Sequence, residues 1–193
     1  MLGLKLATDP RWANLAEKSL EDILSDHAYC EQKAALNGIS LIVQYWDMER
    51  LIEELSPLVT EEWGHFRQVM REMKKRGLTL GPKRKDLYVN ELIKIEHTGG
   101  SRENRLMERL LISAMIEARS CERFRVLSLN MEEQEMRDFY HSFMVSEAGH
   151  YRMFLDLAKE YAPEEKVKNR WQEILEAEEK IMLGLELRGD RVH

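Results

Sequence analysis

Residues 146–152 have the sequence SEAGHYR, and residues 61–67 have the sequence EEWGHFR. Both stretches contain the pattern Glu-x-Gly-His-aromatic-Arg. The glutamate and the histidine are three positions apart, so on an α-helix their side chains lie on one face. One such pair is common on charged helices and indicates little by itself. Two copies in one chain indicate two equivalent helices, each presenting a carboxylate and an imidazole.

Each copy of the pattern is preceded by a second glutamate at nearly the same distance. Glu31 lies 31 residues before Glu62, and Glu117 lies 30 residues before Glu147. The predicted turn between the two helices lies about halfway in both cases. We therefore expect the two glutamates of each pair to meet across a helical hairpin. The two sets are related by an offset of 85 or 86 residues.

Apolar residues at helical spacing predict long helices along most of the chain. Pro57 lies inside the third of them and predicts a kink or a break near Ser56. Residues 77–101, which contain four glycines and a proline, predict a long connection with a short helix over Asp86–Ile95. The first long helix is expected to begin at Pro10, with Asp9 as its N-cap, and to continue through Ile23. The other long helices are expected at about Ser25 to Gln44, from the turn at 45–47 to Arg76, at Glu103–Leu129, at Glu132–Tyr161, and from Pro163 to about Leu187.

Two helical hairpins joined by a long crossover are typical of one helical architecture. The sequence predicts an all-α, ferritin-like four-helix bundle with one long crossover at about residues 77–101 and additional helices at both ends. The length of 193 residues suits a single domain over residues 1–193. No strand pattern competes with this interpretation.

The repeated residues match a dinuclear metal site. Such a site in a bundle takes one Glu from each of two helices and a Glu-x-x-His from each of the other two. Buried carboxylates repel one another and lose hydration unless cations balance their charge. Oxygen and imidazole donors without thiolates favour iron or manganese over zinc or copper(I). The predicted ligands are Glu31, Glu62, His65, Glu117, Glu147 and His150.

Two further residues are weighed as ligands. Glu122 is a rival to Glu117, but it lies only 25 residues before Glu147, which breaks the match with the first hairpin. His27 lies one turn before Glu31 and is interpreted as a neighbour of the site rather than a ligand. A di-iron carboxylate site can store iron, reduce peroxide or activate O₂, and the ligands alone do not choose among these reactions.

Composition excludes several other classes of protein. The longest uncharged run, residues 34–46, is too short to span a bilayer, which takes about 20 residues. No basic segment followed by an apolar one opens the sequence, which argues against a secretory signal. Cys30 and Cys121 are too few for a four-thiolate site or a disulfide framework. The expected location is therefore the cytoplasm, with no membrane contact.

The charge is distributed unevenly. The formal net charge is −6, yet residues 74–85, KKRGLTLGPKRK, contain six basic residues and no acidic one. This segment is interpreted either as a solvated loop or as a patch that contacts phosphates. The candidate phosphate-binding residues are Lys74, Lys75, Arg76, Lys83, Arg84 and Lys85.

Four segments resemble a known family over nearly the whole chain. They are DHAYCEQKAA (26–35), EEWGHFRQVMREMKKRGLTLGP (61–82), RLLISAMIEARSCERF (109–124) and SEAGHYRMFLDLA (146–158). They are similar to the MiaE family of tRNA-(2-methylthio-N6-isopentenyladenosine) hydroxylases. The resemblance implies the same six ligands.

The resemblance also implies the reaction and its partners. It implies a non-haem di-iron monooxygenase that hydroxylates the isopentenyl side chain of 2-methylthio-N6-isopentenyladenosine in tRNA. Two iron ions, O₂ as co-substrate and an external electron donor, a reductase or a ferredoxin, are then expected, and the basic segment would bind tRNA phosphates. The additional helices are compatible with a monomer. The alternatives are a di-iron oxygenase acting on a small apolar substrate and a ferritin- or rubrerythrin-like ferroxidase or peroxidase.

Overall fold

The computed structural model describes residues 2–186 and 188–192, and every regular element in these ranges is a helix. The helices are α1 (Trp12–Lys18), α2 (Leu20–Gln44), α3 (Glu49–Lys75), α4 (Leu87–Lys94), α5 (Arg102–Asn130), α6 (Gln134–Tyr161) and α7 (Glu164–Gly184). No helix in these ranges is long and apolar enough to cross a membrane.

The chain divides into two compact units. Among the described residues, the α2–α3 unit comprises Leu15–Lys85 and Arg188–Val192, and the α5–α6 unit comprises residues 2–14 and 86–186. The sequence predicts a single domain over residues 1–193, and the division into two units does not test that prediction.

Helices α2 and α3 pack against each other as a hairpin in the α2–α3 unit. Apolar and small residues at helical spacing, including Ala28, Ala35 and Leu41, are buried on α2. Gly38 lies where the helices approach closely, because a Cβ atom there would be 2.7 Å from Cγ2 of Val59. The missing side chain therefore sets the spacing of this hairpin.

Helix α3 continues through Pro57, so no break occurs near Ser56, and the alternative expectation of a kink stays a prediction. The hydroxyl of Ser56 donates to the carbonyl of Ile52 at 2.7 Å, and the hydroxyl of Thr60 donates to the carbonyl of Ser56 at 3.3 Å. Pro57 lies on the exposed side of the helix. Water can therefore solvate the carbonyl that loses its partner to the proline ring.

Other helix boundaries also differ from the predicted ones. Helix α2 begins at Leu20 rather than near Ser25, and the preceding helix begins at Trp12 rather than at Pro10. Asp9 instead accepts a hydrogen bond from the backbone N–H of Arg11 at 2.9 Å. The predicted end of the last helix, at about Leu187, lies outside the described residues.

The crossover between α3 and α5 is a long connection with one short helix, as the sequence predicts. It contains the short helix α4, whose N-terminus is capped by Asp86, because its carboxylate accepts the N–H of Val89 at 3.0 Å. Before α4, the crossover is fastened to α2: the N–H of Gly81 donates to the hydroxyl of Ser25, and the hydroxyl of Tyr29 donates to the carbonyl of Gly81, both at 3.0 Å. These bonds fix the path of the segment that carries Lys83 to Lys85.

A second segment is fastened to α2 as well. Within residues 188–192, Val192 is fully buried, and its N–H donates to the carboxylate of Asp26 at 2.9 Å. Asp190 accepts from the guanidinium of Arg84 at 2.7 Å. The end of the described chain thus belongs to the α2–α3 unit, although α7 belongs to the other unit.

Helix α5 is the core of the α5–α6 unit. It packs against α4, α6 and α7 and is buried along most of its length. Phe124 on α5 lies against Tyr140 and Phe143 on α6, with each pair of ring centroids 5.7 Å apart. Aromatic contacts of this kind bury large apolar areas and fix the register of the two helices.

Charged side chains are also buried in this unit. The guanidinium of Arg119 donates to Glu178 at 2.8 Å, to Glu122 at 3.1 Å and to the carbonyl of Leu6 at 3.1 Å. Glu122 in turn accepts from the N–H of Thr8 at 2.8 Å and from its hydroxyl at 2.5 Å. The network ties the N-terminal segment and α7 to α5.

Candidate metal centre

The six predicted ligands fall into two sets of three. The first set, in the α2–α3 unit, is Glu31 on α2 with Glu62 and His65 on α3. The second set, in the α5–α6 unit, is Glu117 on α5 with Glu147 and His150 on α6. All of their carboxylates are buried, and each set combines one glutamate from the first helix of a hairpin with a Glu-x-x-His from the second.

The first set is compact. Nδ1 of His65 lies 3.3 Å from Oε2 of Glu31 and 3.5 Å from Oε2 of Glu62. One donor atom from each of the three residues lies within 4.8 Å of the other two. The helical spacing of three places Glu62 and His65 on one face, and the hairpin brings Glu31 to the same level.

His27 contacts this set without belonging to it. It is fully buried, and its Nε2 lies 2.7 Å from Oε1 of Glu31. An imidazole held against a carboxylate in this way restricts the orientation of that carboxylate. The geometry accords with the interpretation of His27 as a neighbour that positions Glu31.

The second set repeats the arrangement. Nδ1 of His150 lies 3.5 Å from Oε2 of Glu147, and one donor atom from each of Glu117, Glu147 and His150 lies within 4.8 Å of the other two. The hydroxyl of Ser146 is 3.5 Å from Nε2 of His150. Both hairpins therefore supply two carboxylates and one imidazole.

Cys121 lies near the second set but is a poor ligand. Burial raises the pKa of its thiol to about 11, and the charge of Glu147 contributes to the rise. The thiol donates to the carbonyl of Met144 at 3.3 Å. The donor atoms that cluster with Glu147 and His150 do not include the sulfur of Cys121, so this set consists of oxygen and nitrogen donors.

Glu122, the rival to Glu117, is engaged elsewhere. Both of its carboxylate oxygens accept hydrogen bonds, from Thr8 and from Arg119, within the buried network described above. Glu117 is the glutamate of α5 whose donor atom lies with Glu147 and His150. The spacing argument from the sequence and the geometry thus favour the same residue.

The donor atoms of each set fit a divalent iron or manganese ion. Carboxylate oxygens and imidazole nitrogens are the donors that these metals take in such proteins. Oε2 of Glu147 is buried and receives no hydrogen bond from the described residues. Two carboxylates in each set would balance the charge of one divalent ion, which offsets the energy of burying them.

The predicted phosphate-binding residues lie in the α2–α3 unit. Lys74, Lys75, Lys83 and Lys85 are exposed. The two arginines are half-buried and form ion pairs: Arg76 donates to Glu72 at 2.6 Å, and Arg84 donates to Asp22 and Asp190. The lysines are therefore better placed to meet an anionic partner than the arginines are.

The described residues form only helices and carry two carboxylate–histidine sets that could each hold a metal ion, which is the arrangement of the ferritin-like class. The chain belongs to the MiaE family, because the family model described as tRNA-(MS[2]IO[6]A)-hydroxylase (MiaE) matches residues 2–193. This assignment confirms the resemblance seen in the sequence.

Two relatives carry the corresponding name. The chain is 40% identical over 157 residues to the tRNA 2-(methylsulfanyl)-N(6)-isopentenyladenosine(37) hydroxylase of Pseudomonas putida, a match that covers 81% of this chain and 75% of that protein. It is 34% identical over 116 residues to the protein of the same name from Salmonella typhimurium, covering 60% of this chain and 42% of that protein.

A solved structure is similar over nearly the whole chain. It is entitled protein 43 with aldehyde deformylating oxygenase activity from Synechococcus, is 32% identical in sequence, and superposes with a TM-score of 0.91. The similarity covers 98% of this chain and 94% of that protein. The predicted all-α, ferritin-like fold class is confirmed.

Proposed function

We propose that the chain hydroxylates the isopentenyl side chain of 2-methylthio-N6-isopentenyladenosine in tRNA, in an O₂-dependent reaction at two iron ions. The chain is an enzyme of the tRNA hydroxylase class, an oxidoreductase. The observation that carries the proposal is the family match over residues 2–193 in a chain that keeps both carboxylate–histidine sets. In the overall reaction one atom of O₂ enters a C–H bond of the prenyl group, and the other leaves as water after taking up two electrons from an external donor and two protons from solvent.

The proposed ligands are the two sets described above. Glu31, Glu62 and His65 would hold one ion through two carboxylates and an imidazole, and Glu117, Glu147 and His150 would hold the other in the same way. Bound iron would supply the electrons that O₂ activation requires. The role of the protein residues is to hold the donors in place and to exclude water.

The surroundings of the ligands suit these roles. His27 holds the carboxylate of Glu31, and the small side chains of Ala28 and Ala35 leave space on the same face of α2. On α6, Tyr140 and Phe143 are buried on the face that carries Glu147. Apolar walls suit a prenyl group, and the modified base must leave its stack to bring that group to a buried centre.

The proposal includes tRNA as partner and the cytoplasm as location. The exposed lysines at 74, 75, 83 and 85 supply cations for tRNA phosphates, with Arg76 and Arg84 beside them. Cys30 and Cys121 do not form a disulfide, in keeping with a reducing compartment. A reductase or a ferredoxin is proposed as the electron donor.

The reaction is tested by mass spectrometry of tRNA nucleosides from cells with and without the gene. We expect the prenylated adenosine to be converted to a species heavier by one oxygen atom only when the gene is present. Identical nucleoside profiles in the two strains, both containing the prenylated precursor, would contradict the proposed reaction.

The ligand assignment is tested by iron analysis of the purified protein. Wild-type protein is expected to bind two iron ions per chain, and Glu147→Ala to bind clearly less, because it removes a carboxylate from the second set. Glu160→Ala, which changes an exposed glutamate of the same helix, is the matched control and should load iron normally. Full iron loading of Glu147→Ala would remove this residue from the ligands.

A second candidate function is oxygenase chemistry on a small apolar substrate. It is favoured by the similarity to the Synechococcus protein, whose title names aldehyde deformylating oxygenase activity. Incubation of the iron-loaded, reduced protein with a long-chain aldehyde and O₂ would yield the deformylated product if this candidate is correct. Turnover of tRNA without turnover of the aldehyde would exclude it.

A further inference from the structure

An exposed aromatic pair lies directly beside the first ligand set. Trp63, between the buried Glu62 and the exposed Gly64, is 46% exposed. Its ring stacks on that of Phe66, with centroids 4.8 Å apart and planes 20° apart. A Cβ atom on Gly64 would meet nothing within 4 Å, so the surface next to the tryptophan is open. Trp63, stacked on the half-buried Phe66, thus offers an accessible aromatic surface one residue from a predicted iron ligand.

Cations follow this tryptophan along the same face of α3. Arg67, Arg71 and Lys74 are all exposed, and they lie four, eight and eleven positions after Trp63. At 3.6 residues per turn these positions project from one side of the helix and extend about 16 Å along it. We call Trp63, Arg67, Arg71 and Lys74 the α3 face.

The charge of α3 changes sign at this tryptophan. Residues 49–62 contain five glutamates and one arginine, whereas residues 63–76 contain five basic residues and one glutamate, Glu72. That glutamate pairs with Arg76 rather than with a cation of the α3 face. In a chain with a net charge of −6, this half-helix is a local positive surface that attracts an anionic partner.

We propose that the α3 face binds the RNA strand that carries the substrate base, with a neighbouring base stacked on Trp63 and the phosphates of the strand on Arg67, Arg71 and Lys74. The inference rests on the proposed function and adds the surface that reads the tRNA. Single-stranded RNA is bound by aromatic side chains that stack on bases and by cations that track the backbone. An acidic electron-donor protein would suit the cations but has no use for an exposed stacking surface.

The cationic part is tested with a fluorescently labelled RNA hairpin that carries the anticodon loop of a substrate tRNA. Each lost phosphate contact to a single strand lowers the slope of log affinity against log salt by roughly 0.7. We therefore expect the double variant Arg67→Gln/Arg71→Gln to bind more weakly at low salt and to lower the slope by roughly 1.4.

The repeated hairpin offers a matched control. Arg152 and Lys159 on α6 occupy the positions that correspond to Arg67 and Lys74, and both are exposed. Arg152→Gln/Lys159→Gln removes the same charge and should leave both the affinity and the slope close to those of the wild type. An equal loss in both double variants would reveal a general effect of charge and would overturn the proposal.

The stacking part is tested with Trp63→Ala and Trp63→Phe. Because stacking of one base on an aromatic side chain corresponds to roughly a 5- to 150-fold change in affinity, Trp63→Ala should weaken hairpin binding in this range and Trp63→Phe much less. Trp46→Ala, which removes a tryptophan that is 74% exposed at the α2–α3 turn, should bind like the wild type. In a Trp46→Phe background, RNA should quench part of the tryptophan emission, and this quenching should be absent when Trp63 is also replaced, because the two remaining tryptophans, Trp12 and Trp171, are buried.

Iron content is measured for every variant, so that lost metal is not mistaken for lost RNA binding. Wild-type affinity in both Trp63→Ala and the Arg67/Arg71 variant would overturn the proposal. So would unchanged RNA affinity combined with slower reduction by the donor protein, since the face would then dock the donor. A wild-type protein that fails to hydroxylate tRNA would refute the proposed function, whereas an active wild type with normally binding variants would refute only the α3 face.

Discussion

Arg119 illustrates how individual residues of this chain depend on distant partners. It is fully buried, and the residues that accept its hydrogen bonds include Glu178, 59 positions later, and Leu6, 113 positions earlier. Nε of Arg119 and the hydroxyl of Tyr88 both donate to Oε1 of Glu178, while Oε2 receives no hydrogen bond within the described ranges. Burial raises the pKa of Glu178, and Arg119 opposes that rise.

We predict that Arg119→Met destabilises the protein by about 3–5 kcal/mol at pH 8, because it leaves buried carboxylates without their cation. A carboxyl group whose pKa is raised by folding holds its proton more tightly in the folded state, so its cost to stability diminishes as pH falls through the folded pKa. Removing Arg119 raises the pKa of Glu178 further. The loss of unfolding free energy caused by Arg119→Met should therefore be smaller at pH 5 than at pH 8.

Urea unfolding at the two pH values measures this difference. Arg125→Met, which changes an exposed arginine of the same helix, is the control and should stay within about 0.5 kcal/mol of the wild type. Adding Glu178→Gln to Arg119→Met should recover part of the stability at pH 8. An Arg119→Met loss that is the same at both pH values would show that Glu178 is not the group left unbalanced.

The residues of the two metal sets can be proposed from the sequence alone, whereas those of this network cannot. Glu62 and His65 recur as Glu147 and His150 at a fixed offset, and a repeat is visible without any structure. Arg119 has no such counterpart. Its partners come from three parts of the chain that only the fold brings together.

At the scale of elements, α3 shows where local rules mislead. Pro57 predicts a break, yet the helix continues, because the proline lies on the exposed side and the buried apolar residues on the other side hold the helix against α2. Packing of an amphipathic helix face thus outweighs the cost of a proline in a helix interior, which is about 3 kcal/mol relative to alanine. The existence and order of the long helices were predictable, whereas this exception required knowledge of which side faces solvent.

The contact between α2 and α3 yields a prediction for Gly38. A methyl group at this position would lie 2.7 Å from Cγ2 of Val59, a branched side chain that cannot turn aside easily. We predict that Gly38→Ala lowers the free energy of unfolding by about 1–3 kcal/mol despite the better helix propensity of alanine. Thermal and urea unfolding measure the loss.

Two variants check the cause of this loss. Gly38→Ala combined with Val59→Ala should recover stability relative to the sum of the two single changes, since the second substitution removes the atom in the way. Gly64→Ala, where a Cβ atom meets nothing within 4 Å, should not destabilise. A destabilising Gly64→Ala, or additive losses in the double variant, would show that steric overlap at Val59 is not the reason.

At the scale of the whole molecule, the path of the chain after α7 was not predictable. The segment 188–192 returns to the α2–α3 unit, where Val192 is buried and Asp26 accepts its N–H. Its sequence, Arg-Gly-Asp-Arg-Val, shows no spacing of apolar residues typical of a helix or a strand, so nothing in it predicts that the segment packs against α2. Fold class and ligand sets, by contrast, follow from features repeated over the whole length of the chain.

Gly189 tests the docking of this segment. A Cβ atom there would lie 2.3 Å from the backbone carbon and oxygen of Leu15, which cannot move aside. We predict that Gly189→Ala releases the segment, and that trypsin cleaves after Arg188 and Arg191 faster than in the wild type. Gly184→Ala, where a Cβ atom meets nothing within 4 Å, is the control. Equal cleavage rates in the two variants would show that the segment is not held by this close contact.

The pair of equivalent hairpins also suggests a history. A chain built by duplicating one helical hairpin would begin with two identical halves, and the two halves of this chain are alike at the positions of the six proposed ligands. On the outer surface the copies have diverged: Trp63 and Arg71 correspond to Ala148 and Asp156. Only the first copy therefore carries the complete α3 face, whereas both copies carry a full set of proposed ligands.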